Sequence, residues 1–301
     1  TGSTLTEVFS GIGSMNAEYL VRESVQNSLD ANLDEINAVK VKFTFGSSTN
    51  QDDFKKFFGD VLDYREVCNL PSMEDSDATW LMIEDTNTTG LKGDLSRRQS
   101  PFWTFWLDWG AVKKGSSLGR YGVGRTAILG ASQILTVVGM TKQEESGREA
   151  MCGHSLLKAT EYKEFYRSSY AFFAEESEGS IWRMWPGSKA SEFMQAFGID
   201  PFEASGTKLF IPYPRHYITE DRVKAALIAH FTPALLDETL IATVNGETID
   251  EQTILDFAPV IRNSLRNTST VFMAFKRNPV PFIEFQTEFL VTRNDEFYEH
   301  R

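Results

Sequence analysis

The 301-residue sequence has few cysteines, no long apolar run and fewer basic than acidic residues. Cys68 and Cys152 have neither the number nor the spacing of a disulfide framework or a zinc site. Apolar runs are short, as at 80–83, whereas a transmembrane helix needs about 20 residues. With 30 Lys and Arg against 42 Asp and Glu, the net charge is −12, which argues against nonspecific binding to nucleic acid by this chain.

The N-terminus, TGST, has neither the basic region nor the apolar stretch of a signal peptide, and it lacks an initiator Met. We therefore expect a cytosolic location, no membrane contact, and a chain excerpted from a longer protein. Apolar residues make up 41% of the sequence and include 23 Phe, so material for a core is ample. This composition excludes intrinsic disorder as the main state.

Hydrophobic periodicity predicts the elements of the fold. Helices are predicted at 17–33, 52–64, 123–132, 220–237 and 252–266, and strands at 39–45, 79–84, 134–140, 151–158, 168–175, 206–212, 270–276 and 281–292. Asn245-Gly246 between two apolar runs predicts a hairpin over 240–249. The order is not a regular βαβ alternation, so we expect an α+β fold. Residues 1–250 are predicted to form one domain, and 251–301 the beginning of a second or a C-terminal extension.

The first predicted helix carries Glu23, Asn27 and Asp30 on one face. One interpretation is an amphipathic helix whose polar face lies in water. The other is a helix that floors a polar pocket, in which Glu serves as general base and Asn offers an oxygen to a hard cation such as Mg²⁺.

Two further patterns lie at strand ends. Asp85 follows the strand at 79–84 and begins a turn of small residues that includes Asn87 and Gly90. The carboxylate could bind a ligand amine or only begin a turn. Ser205, Gly206 and Thr207 open the strand at 206–212, a pattern that by itself indicates nothing.

A glycine-rich segment precedes the helix predicted at 123–132. Glycines allow a backbone to approach phosphate, and a helix N-terminus adds N–H donors. The order Gly-x-x-Gly-x-Gly is neither a Rossmann fingerprint nor a P-loop, so alone it is a weak signal. The segment consists of Gly119, Arg120, Tyr121, Gly122, Val123 and Gly124.

Taken in order, these four patterns resemble the nucleotide-binding motifs of the GHKL ATPase superfamily, which includes gyrase B, Hsp90, histidine kinases and MutL. ESVQNSLDA at 23–31 is similar to the N-box, Asp85 and its turn to the first glycine box, and GRYGVG at 119–124 to the second, in the form of the Hsp90 branch. Gly206-Thr207 is similar to the pair that opens the late strand of the pocket. The resemblance covers about residues 10–245.

The resemblance implies a two-layer α/β sandwich of the Bergerat type, with helices over one face of a mixed sheet and with ATP and Mg²⁺ as ligands. It implies that Glu23 orients or deprotonates the attacking water and that Asn27 ligates Mg²⁺. It also implies that Asp85 accepts the adenine amino group, supported by Thr207, and that the second glycine box binds the phosphates. Asp30 is expected to support the pocket.

The first glycine box departs from the usual Asp-x-Gly-x-Gly. Asn87 and Thr89 occupy the two glycine positions, and Gly90 follows one residue late. Because Asn tolerates the left-handed region, the turn can still form at Asn87. The departure bears on nucleotide affinity more than on nucleotide identity.

Residues 91–118 correspond to the lid of such ATPases. Their aromatic residues could form core or a docking surface: Phe102, Trp103, Phe105, Trp106 and Trp109. Lys113 and Lys114 are candidate phosphate contacts. Lys276 is a candidate by position alone, since gyrase- and MutL-like members take a lysine from the adjoining domain.

The leading hypothesis is a Mg²⁺-dependent ATPase that switches the conformation or dimerisation of a larger protein, with MORC-like and bacterial anti-phage ATPases as plausible relatives. ATP would bring about contact with a second protomer or a partner subunit. The alternatives are a module that binds ATP without hydrolysing it and a protein kinase of the histidine-kinase type. The sequence does not support the kinase alternative, because none of the four histidines lies in the context of a paired dimerisation helix.

Overall fold

The computed structural model describes most of the chain, in two compact units, Thr1–Ile261 and Arg262–Arg301. The described residues are 17–33, 37–47, 51–73, 77–95, 97, 99–107, 123–173, 175–177, 180–183, 187–257, 274–277, 283–286, 289–293 and 296–300. Within these residues, no helix is long and apolar enough to cross a membrane.

The first unit contains six α-helices among its described residues. They are α1 (Ala17–Asp30), α2 (Gln51–Val67), α3 (Pro101–Leu107), α4 (Val123–Ala131), α5 (Gly187–Ala196) and α6 (Glu220–Leu236). The strands of the main sheet are β1 (Val39–Ser47), β2 (Thr79–Thr86), β3 (Thr136–Lys142), β4 (Glu149–Leu156), β7 (Tyr170–Phe173), β10 (Gly206–Pro212), β11 (Leu240–Val244) and β12 (Glu247–Ile249). Short pairs are formed by β5 (Thr160–Tyr162) with β6 (Phe165–Arg167), and by β8 (Glu175–Ser177) with β9 (Ser180–Arg183).

The main sheet has eight strands in the order β12-β11-β1-β2-β10-β3-β4-β7. Strand β1 pairs in parallel with β11, and the other pairs are antiparallel. The sheet is therefore mixed, and the predicted α+β fold with a mixed sheet is confirmed. Strand β2 lies between β1 and β10 and pairs with both of them, including at the end where Asp85 lies.

Helices α1, α4 and α6 form one layer. Helix α1 packs against both α4 and α6, and α6 packs against β11. The buried residues of α1 lie on one stripe: Ala17, Leu20, Val21, Ser24, Val25 and Ser28. The stripe includes two serines. Both hydroxyls donate to carbonyls of the helix itself, and Ser28 also reaches the end of β2.

Helices α2 and α5 pack against the opposite face of the sheet. The ring of Phe58 in α2 stacks on that of Phe210 in β10 with centroids 6.0 Å apart, and Phe193 in α5 meets the same ring at 5.0 Å. Trp80 of β2 stacks on the same Phe210 ring and belongs to this larger apolar cluster. The resemblance implied helices over one face of the mixed sheet. The structure has helices over the other face as well, because β2 and β10 carry buried apolar residues on both faces.

Other expectations have mixed outcomes. The hairpin at 240–249 is confirmed, with positive φ at Asn245 and Gly246.

Helix α3 was not predicted, since seven residues are too few for a clear period. Its Phe102, Trp103 and Trp106 are buried, which favours core over a docking surface, and Trp109 lies outside the described residues. Where a helix was predicted at 252–266, the described part holds only a 3₁₀-helix, Ile254–Phe257.

The second unit contains two antiparallel pairs. Strand β13 (Ala274–Arg277) pairs with β14 (Ile283–Gln286), and β15 (Phe289–Arg293) pairs with β16 (Glu296–His300). The single strand predicted at 281–292 is wrong, because β14 ends at Gln286 and β15 begins at Phe289. The boundary predicted near residue 250 stays a prediction.

Candidate functional site

The carboxylate of Asp85 is held by three donors from three parts of the fold. Ser28 Oγ in α1 donates to Oδ2 at 3.0 Å, and the backbone N–H of Thr207 in β10 donates to Oδ1 at 2.9 Å. Thr88 Oγ1, in the turn after β2, also donates to Oδ1. Burial raises the pKa of the Asp85 carboxyl, and the three hydrogen bonds oppose this shift by favouring the charged form.

The contact between Asp85 and Thr207 follows from strand register. Thr207 lies opposite Asp85 in the β2–β10 pair, and Thr141 of β3 lies opposite Thr207. Thr141 Oγ1 donates to the Gly206 carbonyl at 3.0 Å and accepts from Leu91 N–H at 2.8 Å. The sheet thus fixes the Asp85 carboxylate and the chain beyond it through adjacent strands.

Two glycines allow these close approaches. A Cβ at Gly206 would lie 2.1 Å from the Asp85 carbonyl oxygen, far inside contact distance. Gly90 has φ +63°, and a Cβ there would lie 2.5 Å from the Lys142 carbonyl oxygen. Each position therefore excludes a side chain, Gly206 by space and Gly90 by both space and backbone conformation.

The turn after β2 is tied to the end of α1. Asn87 has φ 64°, as its tolerance of the left-handed region allows, and its Nδ2 donates to the Ala38 carbonyl at 2.8 Å. Its carbonyl accepts from Leu33 N–H at 3.2 Å, and Thr89 N–H donates to the Ala31 carbonyl at 2.9 Å. The turn thus forms without glycine at position 87, and it couples Asp85 to the helix that carries Glu23.

On α1, Glu23 and Asn27 lie one turn apart on the stripe next to the buried Ser24 and Ser28. Glu23 is partly buried and its Oε1 lies 3.0 Å from Arg22 Nη2. Asn27 is exposed, and no hydrogen bond joins its amide to another described residue. At about 1.5 Å per residue, Glu23 lies about 7.5 Å along the helix axis from Ser28.

These two side chains offer a carboxylate and an amide oxygen. Hard cations such as Mg²⁺ prefer oxygen ligands and retain several waters, so the exposed Asn27 amide fits a magnesium ion as a single protein ligand. Among the described residues, no cluster of three or more His, Cys, Asp or Glu side chains suits a metal. Cys152 and His154 are separated by one residue, and both are buried within β4.

The opposite face of β2 and β10 carries a separate ion pair. Lys208 Nζ binds Glu84 Oε1 and the Asp200 carbonyl, the latter at 2.7 Å. Lys42 Nζ lies 3.4 Å from the other oxygen of Glu84. Because side chains alternate along a strand, this buried charge pair faces away from Asp85 and stays outside the site.

Several predicted site residues lie outside the described residues, and their roles stay predictions. They are Lys113, Lys114, Gly119, Arg120, Tyr121 and Gly122. Val123 and Gly124 begin α4, so the helix predicted after the glycine-rich segment is present. Lys276 lies in β13 of the second unit. Asp30 does not contact Asp85; its Oδ1 accepts from Gln26 Nε2 at 2.8 Å.

The structure adds site residues that the sequence did not indicate. Ser28 and Thr141 each bind a group that is distant in sequence, and Thr88 binds the Asp85 carboxylate from three residues later in the chain. Ser28 had a weak signal, since a serine on the buried stripe of a helix needs a partner. Thr141 had none, because its role depends on the register of β3 against β10.

Comparison with solved structures finds type II topoisomerases. The ATPase and transducer domains of DNA topoisomerase II from Balamuthia mandrillaris are 12% identical, with 82% of this chain and 51% of that chain covered and a TM-score of 0.37. The ATPase region of Saccharomyces cerevisiae topoisomerase II is 9% identical, with 86% and 55% covered and a TM-score of 0.38. The same region bound to dexrazoxane gives a TM-score of 0.37.

The chain spans about half the length of these solved structures. At such identities and TM-scores, the likeness supports no inference about function. No protein-family model matches the chain, and no curated protein matches it.

Proposed function

We propose that this chain is an ATPase of the GHKL type, which binds ATP with Mg²⁺ and hydrolyses it slowly. The observation that carries the proposal is the Asp85 carboxylate, fixed by Ser28, Thr88 and the Thr207 N–H. A carboxylate has about four lone-pair sites, so one acceptor position remains after three hydrogen bonds. A fixed acceptor of this kind suits the exocyclic amine of adenine.

The helix that supplies Ser28 also supplies the residues proposed for the phosphate end. Glu23 would accept a hydrogen bond from the attacking water and so orient it, and the adjacent Arg22 holds one of its oxygens. Asn27 would contribute an oxygen to Mg²⁺, which when bound neutralises charge on the phosphates. One helix would thus set the spacing between the adenine end and the phosphate end of the site.

The phosphates themselves are proposed to bind at 119–124. Val123 and Gly124 occupy the first turn of α4, where backbone N–H groups have no partner within the helix. Anions bind readily at such a position. Lys113, Lys114 and Lys276 remain candidate phosphate contacts.

Because only a few groups take part, hydrolysis is expected to be slow. Slow hydrolysis suits a protein in which ATP binding switches the conformation. We propose that ATP binding changes the conformation of the lid at 91–118 and promotes contact with a second protomer or a partner subunit of a larger assembly. A MORC-like or anti-phage role is a further proposal, motivated by the motif resemblance alone.

Phosphate release with Mg-ATP tests the activity in the wild type and in Glu23→Gln. The variant keeps the size of the side chain but removes the carboxylate, so turnover should fall at least about 100-fold while ATP affinity changes little. Glu66→Gln is a matched control, since Glu66 is an exposed glutamate on α2, the helix on the other face of the sheet.

Three results would contradict the proposal. Wild-type protein that binds ATP without releasing phosphate would favour the nucleotide-sensing module. Labelled phosphate that remains on the protein would favour the kinase. Equal turnover in wild type and Glu23→Gln would remove Glu23 from the reaction.

A further inference from the structure

A cavity of about 230 Å³ lies beside α2, among residues of the aromatic cluster on the face of the sheet opposite Asp85. Ala78, just before β2, and Tyr213, just after β10, form one side of it. These are the strand ends remote from Asp85 and Thr207, because β2 and β10 run antiparallel. The cavity therefore shares no residue with the proposed nucleotide site.

The cavity contains a buried guanidinium. Arg65 is 5% exposed, and its Nε has no hydrogen-bond partner in the part of the chain that the structure describes. Its Nη2 donates to the Pro71 carbonyl at 3.3 Å. No carboxylate of a described residue forms an ion pair with it. A buried charge normally has such a partner, because burial removes it from water.

The position of Arg65 explains why the charge is tolerated. It lies in the last turn of α2, where the backbone carbonyls carry partial negative charge. Those carbonyls stabilise the positive charge of the guanidinium electrostatically, but none of them accepts a hydrogen bond from Nε. The guanidinium stays protonated at neutral pH, although burial lowers its pKa. The guanidinium therefore lines the cavity as a cation that no carboxylate of the described residues neutralises.

The remaining lining is largely apolar. Phe54 and Met73 are buried beside Ala78 and the Tyr213 ring, whose centroid lies 5.1 Å from that of Phe54. Lys55 and Glu66 also line the cavity and are both exposed, so their opposite charges offset each other and the buried charge is that of Arg65. A buried cation beside an apolar wall selects a ligand with an anionic head and an apolar body.

We propose that this cavity binds a small organic carboxylate, with its charged group against the Arg65 guanidinium and its apolar body against Phe54 and Met73. A guanidinium edge matches a carboxylate in geometry, because two parallel N–H groups meet two oxygens. The volume is below the range of about 300–1,000 Å³ typical of drug-sized ligands, so the ligand is small.

Titration of the wild-type chain with benzoate, followed by NMR or calorimetry, tests the proposal. Benzoate should bind saturably with Kd below about 1 mM. Benzamide keeps the ring but lacks the charge, and inorganic phosphate keeps a charge but lacks the ring; each should bind at least tenfold more weakly. This comparison uses the native protein, so it does not depend on whether a variant folds.

Two variants locate the site. Arg65→Met should weaken benzoate binding at least tenfold, and Ala78→Leu should do so by filling the cavity with Arg65 intact. Arg167→Met, at an exposed arginine of β6, is the matched control and should leave binding unchanged. The proposal would be overturned if benzamide or phosphate bound as tightly as benzoate, or if benzoate binding did not saturate. It would also be overturned if neither Arg65→Met nor Ala78→Leu changed the affinity for benzoate. Arg65 would then be a purely structural residue.

Discussion

The backbone N–H of Thr207 donates to Oδ1 of Asp85 at 2.9 Å, between residues that lie 122 positions apart in sequence. The contact exists because Thr207 and Asp85 are opposite each other in the β2–β10 pair. It requires Gly206 as the preceding residue, since a Cβ there would meet the Asp85 backbone. Two segments that the sequence indicates separately thus form one acceptor site.

Asp85→Asn should weaken ATP binding by about 10- to 150-fold. The amide replaces one carboxylate oxygen with a donor, which faces either the Ser28 hydroxyl or the adenine amine, and a hydrogen bond to a charged group is worth about 1.5–3 kcal/mol. Calorimetric titration with ATP measures the change. Asp63→Asn, at an exposed residue of α2, serves as control. Unchanged affinity in Asp85→Asn would mean that adenine binds elsewhere.

Ser28→Ala should weaken ATP binding about tenfold, because the Asp85 carboxylate loses one of its three donors. Ser24→Ala is a close control: Ser24 is also buried on α1, one turn earlier, but its Oγ donates to the carbonyls of Leu20 and Val21. Affinity is measured by titration and folding by urea unfolding. Equal loss of affinity in both variants would assign the effect to the helix and not to Asp85.

Gly206→Ala should destabilise the fold by about 1–3 kcal/mol, because the added methyl group forces β10 away from β2. Gly59→Ala provides the contrast. A Cβ at Gly59 meets no atom within 4 Å, and alanine in the helix interior should stabilise by about 0.5–1 kcal/mol. Urea unfolding gives both free energies. If Gly206→Ala is as stable as wild type, the close approach at Asp85 is not needed for folding.

The pH dependence of stability should depend on Asp85. Burial raises its pKa above the ordinary value of 3.8, so the carboxyl binds its proton more tightly in the folded state than in the unfolded chain. Its stabilising contribution is therefore fully present below that value and is lost as the pH rises through the raised pKa. Compared with Asp85→Asn, the wild type should gain stability as the pH falls from about 7 to about 4. Urea unfolding across this range measures the difference, and a constant or opposite trend would contradict it.

Periodicity was sufficient for elements whose burial alternates. The predicted helix at 17–33 and strand at 39–45 correspond to α1 and β1, where each buried face repeats at the expected spacing. It was insufficient for α3, which is short and aromatic, and for the split between β14 and β15. In those segments tertiary contacts outweigh the local pattern.

The sequence by itself determined which functional groups the site contains and which local elements carry them. These are a helix with Glu23 and Asn27, a strand near whose end Asp85 lies, and a turn in which Asn87 adopts the left-handed conformation in place of glycine. Those properties depend on local spacing and on intrinsic φ preference. Only the tertiary structure decided that Ser28 donates to Asp85, that Gly206 must lack a side chain, and that Arg65 is buried in a cavity without a carboxylate partner among the described residues. Each of these depends on strand register or helix packing, which bring together residues distant along the chain and set which donors find an acceptor.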